Sequence, residues 1–188
     1  MTYQEIYIST DIEADGPIPG VYSMMSFGSA AYDQDGNLLD TFSRNLLPLQ
    51  GAVQDPDTML FWQRNPQVYA ITQVDRVDPA IAIPEYDTWL SKYDRPVFVS
   101  MPAGFDFTFI YWYLVRFTGK SRFSWAALDI KTFAYAVLNK PFKKCTKANF
   151  PESWFSNKPH THVAIDDALE QGDLFFNIKK ANDKLRKL

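Results

Sequence analysis

Ser9-Thr10-Asp11-Ile12-Glu13 is the stretch on which the reading of the whole chain turns. It ends an apolar run, Ile6-Tyr7-Ile8, that reads as a buried β-strand over residues 5–12. Successive side chains in a strand alternate faces, so Asp11 and Glu13 point the same way while Ile12 points into packing. Two carboxylates side by side on a rigid strand repel each other, and burial strengthens the repulsion. A divalent cation resolves that conflict, and hard oxygen ligands suit Mg2+ or Mn2+. A solvated strand end carrying two surface acids is the alternative, and this stretch alone leaves both open.

Outward from that strand, Asp15-Gly16-Pro17-Ile18-Pro19-Gly20 makes a turn and a second run extends from Val21 to Tyr32. Asp33-Gln34-Asp35-Gly36-Asn37 is a hairpin signal, because Asp-Gly suits positions that need positive φ. Leu38 to Leu46 then gives a third strand, so the chain opens as an antiparallel meander. Gly16 and Gly20 beside the acids suit either a close ligand approach or simple turn-making.

Helical signals follow. Asp55-Pro56-Asp57-Thr58 reads as a capped start leading through Trp62, and Asn65-Pro66 restarts a short helix through Ile71. Asp78-Pro79 opens an irregular piece, and a third helix is predicted from Pro84 to Tyr93, with Tyr86, Trp89, Leu90 and Tyr93 on one face. Val97-Phe98-Val99-Ser100 is a short apolar strand of the kind buried in a sheet covered on both sides. A helix from Ala103 to Thr118 stops at Gly119. Ser124 to Leu128 is a fifth strand, Asp129 caps a helix to Asn139, residues 140–159 are irregular, and a last helix covers Ala164 to Leu185. The fold class expected is α/β: a mixed five-stranded sheet, three antiparallel strands then two parallel ones, flanked by helices.

Bulk properties bound the function. The 188 residues suit a single domain, 1–188, with a substantial core, and 46% hydrophobic with 22% charged residues is ordinary for a globular protein. A net charge of −3 gives no global basic field for a polyanion, although bound metal ions would invert the local potential. The single cysteine, Cys145, forms no internal disulfide and reads as a buried thiol in a reducing compartment. No targeting segment or membrane-length apolar run is read, so the expected location is cytoplasmic, away from membranes.

Two further groups carry chemistry. Asp106, in Gly104-Phe105-Asp106-Phe107, lies in the first turn of the helix leaving the fourth strand. If the first and fourth strands are parallel neighbours, it faces Asp11 and Glu13; a helix-start acid favoured by the macrodipole is the bland alternative. Both histidines of the chain stand in His160-Thr161-His162-Val163-Ala164-Ile165-Asp166-Asp167-Ala168. Imidazole titrates near neutrality and suits proton removal from water, while a cap with surface histidines explains the same segment.

Taken in order, Asp-Ile-Glu on a first strand, Asp106 starting a middle helix and His162 five residues before Asp167 resemble the DnaQ-like exonucleases, specifically the DEDD branch with a histidine, DEDDh. The resemblance covers nearly the whole chain and implies a ribonuclease H-like fold. It prefers His162 to His160, and Asp167 to Asp166, by their spacing. It implies a 3'-5' exonuclease with two divalent metal ions, Mg2+ or Mn2+, held by Asp11, Glu13, Asp106 and Asp167, with His162 as general base. The 57–66 segment resembles the first helix region of small stand-alone members, which implies that Phe61, Trp62 and Asn65 meet the terminal nucleotide. Such members often trim RNA, so the expected substrate is the 3' end of single-stranded nucleic acid, RNA before DNA. Lys140, Lys143, Lys144 and Lys147 could follow its phosphates. The loop after the first motif, with Asp15 and Pro-Ile-Pro-Gly, departs from the family's Thr/Ser-Gly, so its nucleotide contacts are not carried over. No oligonucleotide-binding or helicase-like module is read beside the domain, and processivity would call for a partner or a homodimer. The competing functions are a silent nucleic-acid or protein-binding module on the same fold and a hydrolase of mono- or dinucleotides.

Overall fold

The computed structural model describes residues 5–158 and 161–185. Among them, strands β1 (Tyr7–Ala14), β2 (Met24–Tyr32), β3 (Leu38–Asn45), β4 (Val97–Ser100) and β5 (Leu128–Asp129) form one sheet in the order β3-β2-β1-β4-β5. β1 pairs antiparallel with β2, and β2 with β3, while β1–β4 and β4–β5 are parallel. The helices are α1 (Pro56–Arg64), α2 (Pro66–Thr72), α3 (Pro79–Leu90), α4 (Ala103–Thr118), α5 (Ile130–Leu138) and α6 (Ala164–Leu185). The mixed α/β sheet expected from the sequence is therefore the sheet observed.

The alternation along β1 divides the core into two layers. Ile8 and Ile12 pack with Phe27, Tyr86, Phe98 and Tyr113 beneath α3 and α4. Tyr7 faces the other way, joining Tyr32, Ile130, Phe175 and Phe176 under α5 and α6. At 20–33 cal/mol per Å2 of apolar surface removed from water, these two layers are the main stabilising term. The odd-numbered face of β1, with Ser9 and Asp11, thus looks at α6: Ser9 Oγ donates to the carbonyl of Ala168 at 2.7 Å.

Several boundaries differ from the sequence reading; β2, for one, starts at Met24 rather than Val21, and α3 ends at Leu90 rather than Tyr93. β1 continues two residues past Ile12, so Asp11 and Glu13 sit on the strand proper, with a bulge only after Glu13. α3 begins at Pro79 rather than Pro84, because the side chain of Asp78 accepts the N–H of Ala80 at 2.8 Å and caps it. Pro84 then lies within the helix, where it removes only the bond to the carbonyl of Ala80, an exposed residue of the first turn. β5 is only two residues long, because Ser124 Oγ bonds both the N–H and the carbonyl of Ala126, a local alternative to the ladder. No described helix is long and apolar enough to cross a membrane.

Candidate active site

The parallel pairing of β1 with β4, in which Ser9 lies opposite Val99, brings the carboxyl ends of both strands together. β4 ends at Ser100 and α4 starts at Ala103, whose N–H donates to Asp129 Oδ2 at 2.8 Å. One turn of helix then carries Asp106 to the end of β1, where its Oδ1 accepts the N–H of Ile12 at 3.2 Å. Asp106 is 3% exposed. It faces Asp11 and Glu13, as the parallel arrangement requires.

α6 closes the site from the other side. In β2, Gly28 pairs with Asp11, and a Cβ there would stand 2.4 Å from the backbone of Ile165. Only glycine lets the start of α6 lie so close to the sheet. That approach brings Asp167 to the carboxylates of β1. Asp167 Oδ1 accepts the N–H of Thr161 at 2.8 Å and Oδ2 the N–H of His162 at 3.0 Å, folding the preceding turn back on the helix. His162 is held at φ 57°, in the left-handed region. A non-glycine residue pays for that conformation with strain, which persists where the surroundings impose it. Ligand atoms of Glu13, His162 and Asp167 all lie within 4.8 Å of one another. The five residues expected from the sequence are thus brought together; His160 lies outside the described residues.

The three substrate-contact expectations separate. Phe61 is 40% exposed, and its ring centroid lies 5.6 Å from that of His162. Trp62 is 2% exposed, and its Nε1 donates to the carbonyl of Ala14 at 2.9 Å, so it ties α1 to the end of β1. Asn65 Nδ2 donates to the carbonyl of Phe61 at 2.9 Å at the α1–α2 junction. Of the lysines at 140–147, Lys147 is ion-paired with the buried Glu170 of α6.

Two residues of the site were not singled out from sequence. Gln171, one helical turn after Asp167, donates Nε2 to Asp11 Oδ1 at 2.7 Å, while its own buried Oε1 has no partner among the described residues. The i, i+4 spacing on α6 was the available signal. Gly28 carried none, since its role depends on a helix more than 130 residues away.

The electrostatics are those of carboxyl groups crowded together and buried. Burial, then the carboxylates of Asp106, Glu13 and Asp167, push Asp11 well above the usual carboxylate range, with Lys147 opposing. Burial also raises Asp106, against the Ile12 amide. Glu13 is pushed up to about 8 by burial and then by Asp167 and Asp106. Oxygen donors gathered at mutual cost, beside an unpartnered buried amide oxygen, fit hard divalent ions. A stability prediction follows for the metal-free protein. Between pH 4.5 and about 8 the folded protein keeps on Glu13 a proton that the unfolded chain releases, so stability falls as pH rises through that window. Melting in chelator is expected at a lower temperature at pH 8 than at pH 5, with Mn2+ raising it most at pH 8. A melting temperature in chelator that climbs between those pH values contradicts the burial of Glu13 among carboxylates.

No protein-family model matches the chain. Among curated proteins, it is 31% identical over 194 residues to a protein of Escherichia coli named 3'-5' DNA exonuclease Cap18, covering 97% of this chain and 96% of that one. Among solved structures, it superposes on the zinc-bound E. coli ExoI–ssDNA complex with TM-score 0.70 at 15% identity, covering all of this chain but 42% of the other. The nuclease domain of 3'hExo, described as a DEDDh family member bound to rAMP, superposes with TM-score 0.62 at 14% identity, covering 97% of this chain and 94% of that domain. The structural likenesses establish the fold, and the curated relative, similar along almost its entire length, establishes the lineage: the chain belongs to the family of that 3'-5' exonuclease, a family of hydrolases, on the ribonuclease H-like fold it shares with ExoI and 3'hExo.

Proposed function

We propose that residues 1–188 act as one exonuclease domain that removes nucleotides from the 3' end of single-stranded DNA, with Asp11, Glu13, Asp106 and Asp167 holding two Mg2+ or Mn2+ ions and His162 as the general base. The observation that carries the assignment is the meeting of Glu13, His162 and Asp167 within 4.8 Å, beside the raised carboxyls of Asp11 and Asp106. When bound, the ions supply charge stabilisation to both the attacking and the leaving oxygens of an in-line displacement. The protein's own part is to hold and orient. Gln171 fixes one oxygen of Asp11, and the Ile12 amide fixes one of Asp106. Asp167 accepts two amides, but each of its oxygens retains a second lone pair for a cation. His162, with its backbone locked by Asp167, accepts the proton of the attacking water, and no covalent enzyme intermediate forms.

DNA is preferred over the RNA expected from small stand-alone members, because the 31%-identical relative is named a DNA exonuclease. Matched single-stranded DNA and RNA of one sequence, labelled at the 5' end and digested side by side with Mg2+ or Mn2+, test this choice. Faster shortening of DNA supports it; faster shortening of RNA overturns it.

Phe61 is the terminal-base platform in this reading, being the exposed ring beside His162. Stacking is worth about 1–3 kcal/mol per base, so Phe61→Ala is expected to raise KM for oligonucleotides about five- to hundredfold with kcat less affected. Its melting temperature should match the parent's, whereas Trp62→Phe, which deletes the bond to Ala14, should melt lower. Steady-state rates and thermal melts of both variants check the division of roles.

A further inference from the structure

The sequence from Ile130 to Pro151 contains five lysines and neither aspartate nor glutamate. Removing those five from the 19 basic residues of the chain leaves 14 against 22 acids, so the remainder carries a formal charge of −8. Positive charge is therefore concentrated on one segment of an acidic protein, the arrangement that attracts a polyanion to one place rather than everywhere.

The folded segment adds aromatic surface to that charge. Lys131 holds its ammonium 4.5 Å from the centroid of the Phe142 ring, and Tyr135 meets the same ring edge-on at 5.9 Å and 78°. Phe142 and Tyr135 are each 47% exposed. Lys143 and Lys144 share a 3-10 turn with Phe142, and both are exposed, as is Lys140. The turn is a defined structure. The buried Sγ of Cys145 lies 3.8 Å from the carbonyl of Lys140 and 3.6 Å from that of Pro141.

Both ends of the segment reach the candidate active site. At one end, Asp129 caps α5 and accepts the amide that begins α4, the helix whose first turn carries Asp106. At the other end, Lys147 pairs with Glu170, the neighbour on α6 of Gln171, which donates to Asp11. Charge, exposed rings and continuity with the site thus coincide.

We propose that the surface of Lys131, Tyr135, Lys140, Phe142, Lys143 and Lys144 is a second binding site for the substrate strand, engaging nucleotides on the 5' side of the scissile end by base stacking and phosphate contact. Lysines alone would give a salt-dependent attraction without a seat for bases, while stacking on an aromatic ring is tolerant of sequence, as an exonuclease requires. The site rests on the reading of the chain as an exonuclease acting on single strands, and it adds a dependence on substrate length.

The test compares the parent protein, Phe142→Ala, and the double variant Lys143→Ala with Lys144→Ala on a trinucleotide and on a 20-nucleotide single-stranded DNA. Thermal melts confirm that each variant is folded. The parent should process the 20-mer with higher kcat/KM than the trinucleotide. Either variant should lose about tenfold on the 20-mer and stay within about twofold of the parent on the trinucleotide. Anisotropy of a labelled 20-mer in chelator, which needs no catalysis, should show weaker binding by both variants. For the double variant, the slope of log affinity against log salt should fall by about 1.4 if each lysine meets one phosphate. Unchanged 20-mer kinetics, affinity and salt slope in a parent that shortens both substrates overturn the second site and leave the exonuclease reading standing. Equal losses on both substrates overturn it too, since the segment would then be acting on the reacting centre. A parent that cleaves neither substrate refutes the exonuclease reading instead, and the anisotropy then decides the surface separately.

Discussion

Asp106→Asn is expected to lower the rate of 3' nucleotide removal about a thousandfold or more while leaving the protein folded. Asp106 is one of four carboxylates around the site and is almost fully buried. Metal ions contribute several kcal/mol to stabilising a phosphoryl-transfer transition state, and each 1.36 kcal/mol is a factor of ten. Asparagine keeps an oxygen to accept the N–H of Ile12, which aspartate now accepts at 3.2 Å. It removes a negative charge that Asp11 and Glu13 both feel. In chelator the variant should therefore melt no lower than the parent, and relief of repulsion favours a higher temperature. Asp106→Ala should be as inactive but less informative, because it leaves the buried Ile12 amide unpaired at a cost of about 1–3 kcal/mol. Rates near those of the parent would remove Asp106 from the site. A large fall in melting temperature would mean that the carboxylate supports the fold rather than the chemistry.

His162→Asn is expected to separate proton transfer from metal binding. General-base catalysis is worth about 10^2–10^4-fold, and a loss in that range is expected. Asparagine is the informative replacement because His162 stands at φ 57°, a conformation that asparagine tolerates better than most residues. The hydrogen bond from its backbone N–H to Asp167 should survive. Calorimetric titration with Mn2+ should then give nearly the parent's affinity beside the much lower rate. Since the imidazole lies within 4.8 Å of Glu13 and Asp167 ligand atoms, a parallel loss of Mn2+ affinity would make His162 a ligand instead of the base.

The parts of this structure governed by local rules were legible in the sequence. α4 stops at Thr118 because Gly119 takes φ 77°, and α5 starts where Asp129 accepts the N–H of Thr132 at 2.6 Å. The placement of the five candidate residues was readable because strand alternation and helix starts fix them to their elements. What was not legible depended on approach from afar. Phe61 and Trp62 are consecutive in one helix and point about 100° apart, and nothing local says which one meets the end of β1 and which the site rim. Gly28 and Gln171 read as ordinary residues until α6 lies across them. The short β5 had the composition of a strand, but a single serine hydroxyl diverted its backbone.

The measurement that bears most directly on the enzyme assignment uses a 5'-labelled single-stranded DNA with an unmodified 3' end, and a second copy whose terminal linkages at that end are phosphorothioate. Each is incubated with Mg2+, with Mn2+ and with chelator. The expected result is a descending ladder from the unmodified strand, in either metal and never in chelator, with the protected strand shortened far more slowly. Release of the label as a mononucleotide at the earliest times, internal cuts, or shortening that persists in chelator would contradict a metal-dependent enzyme working from the 3' end.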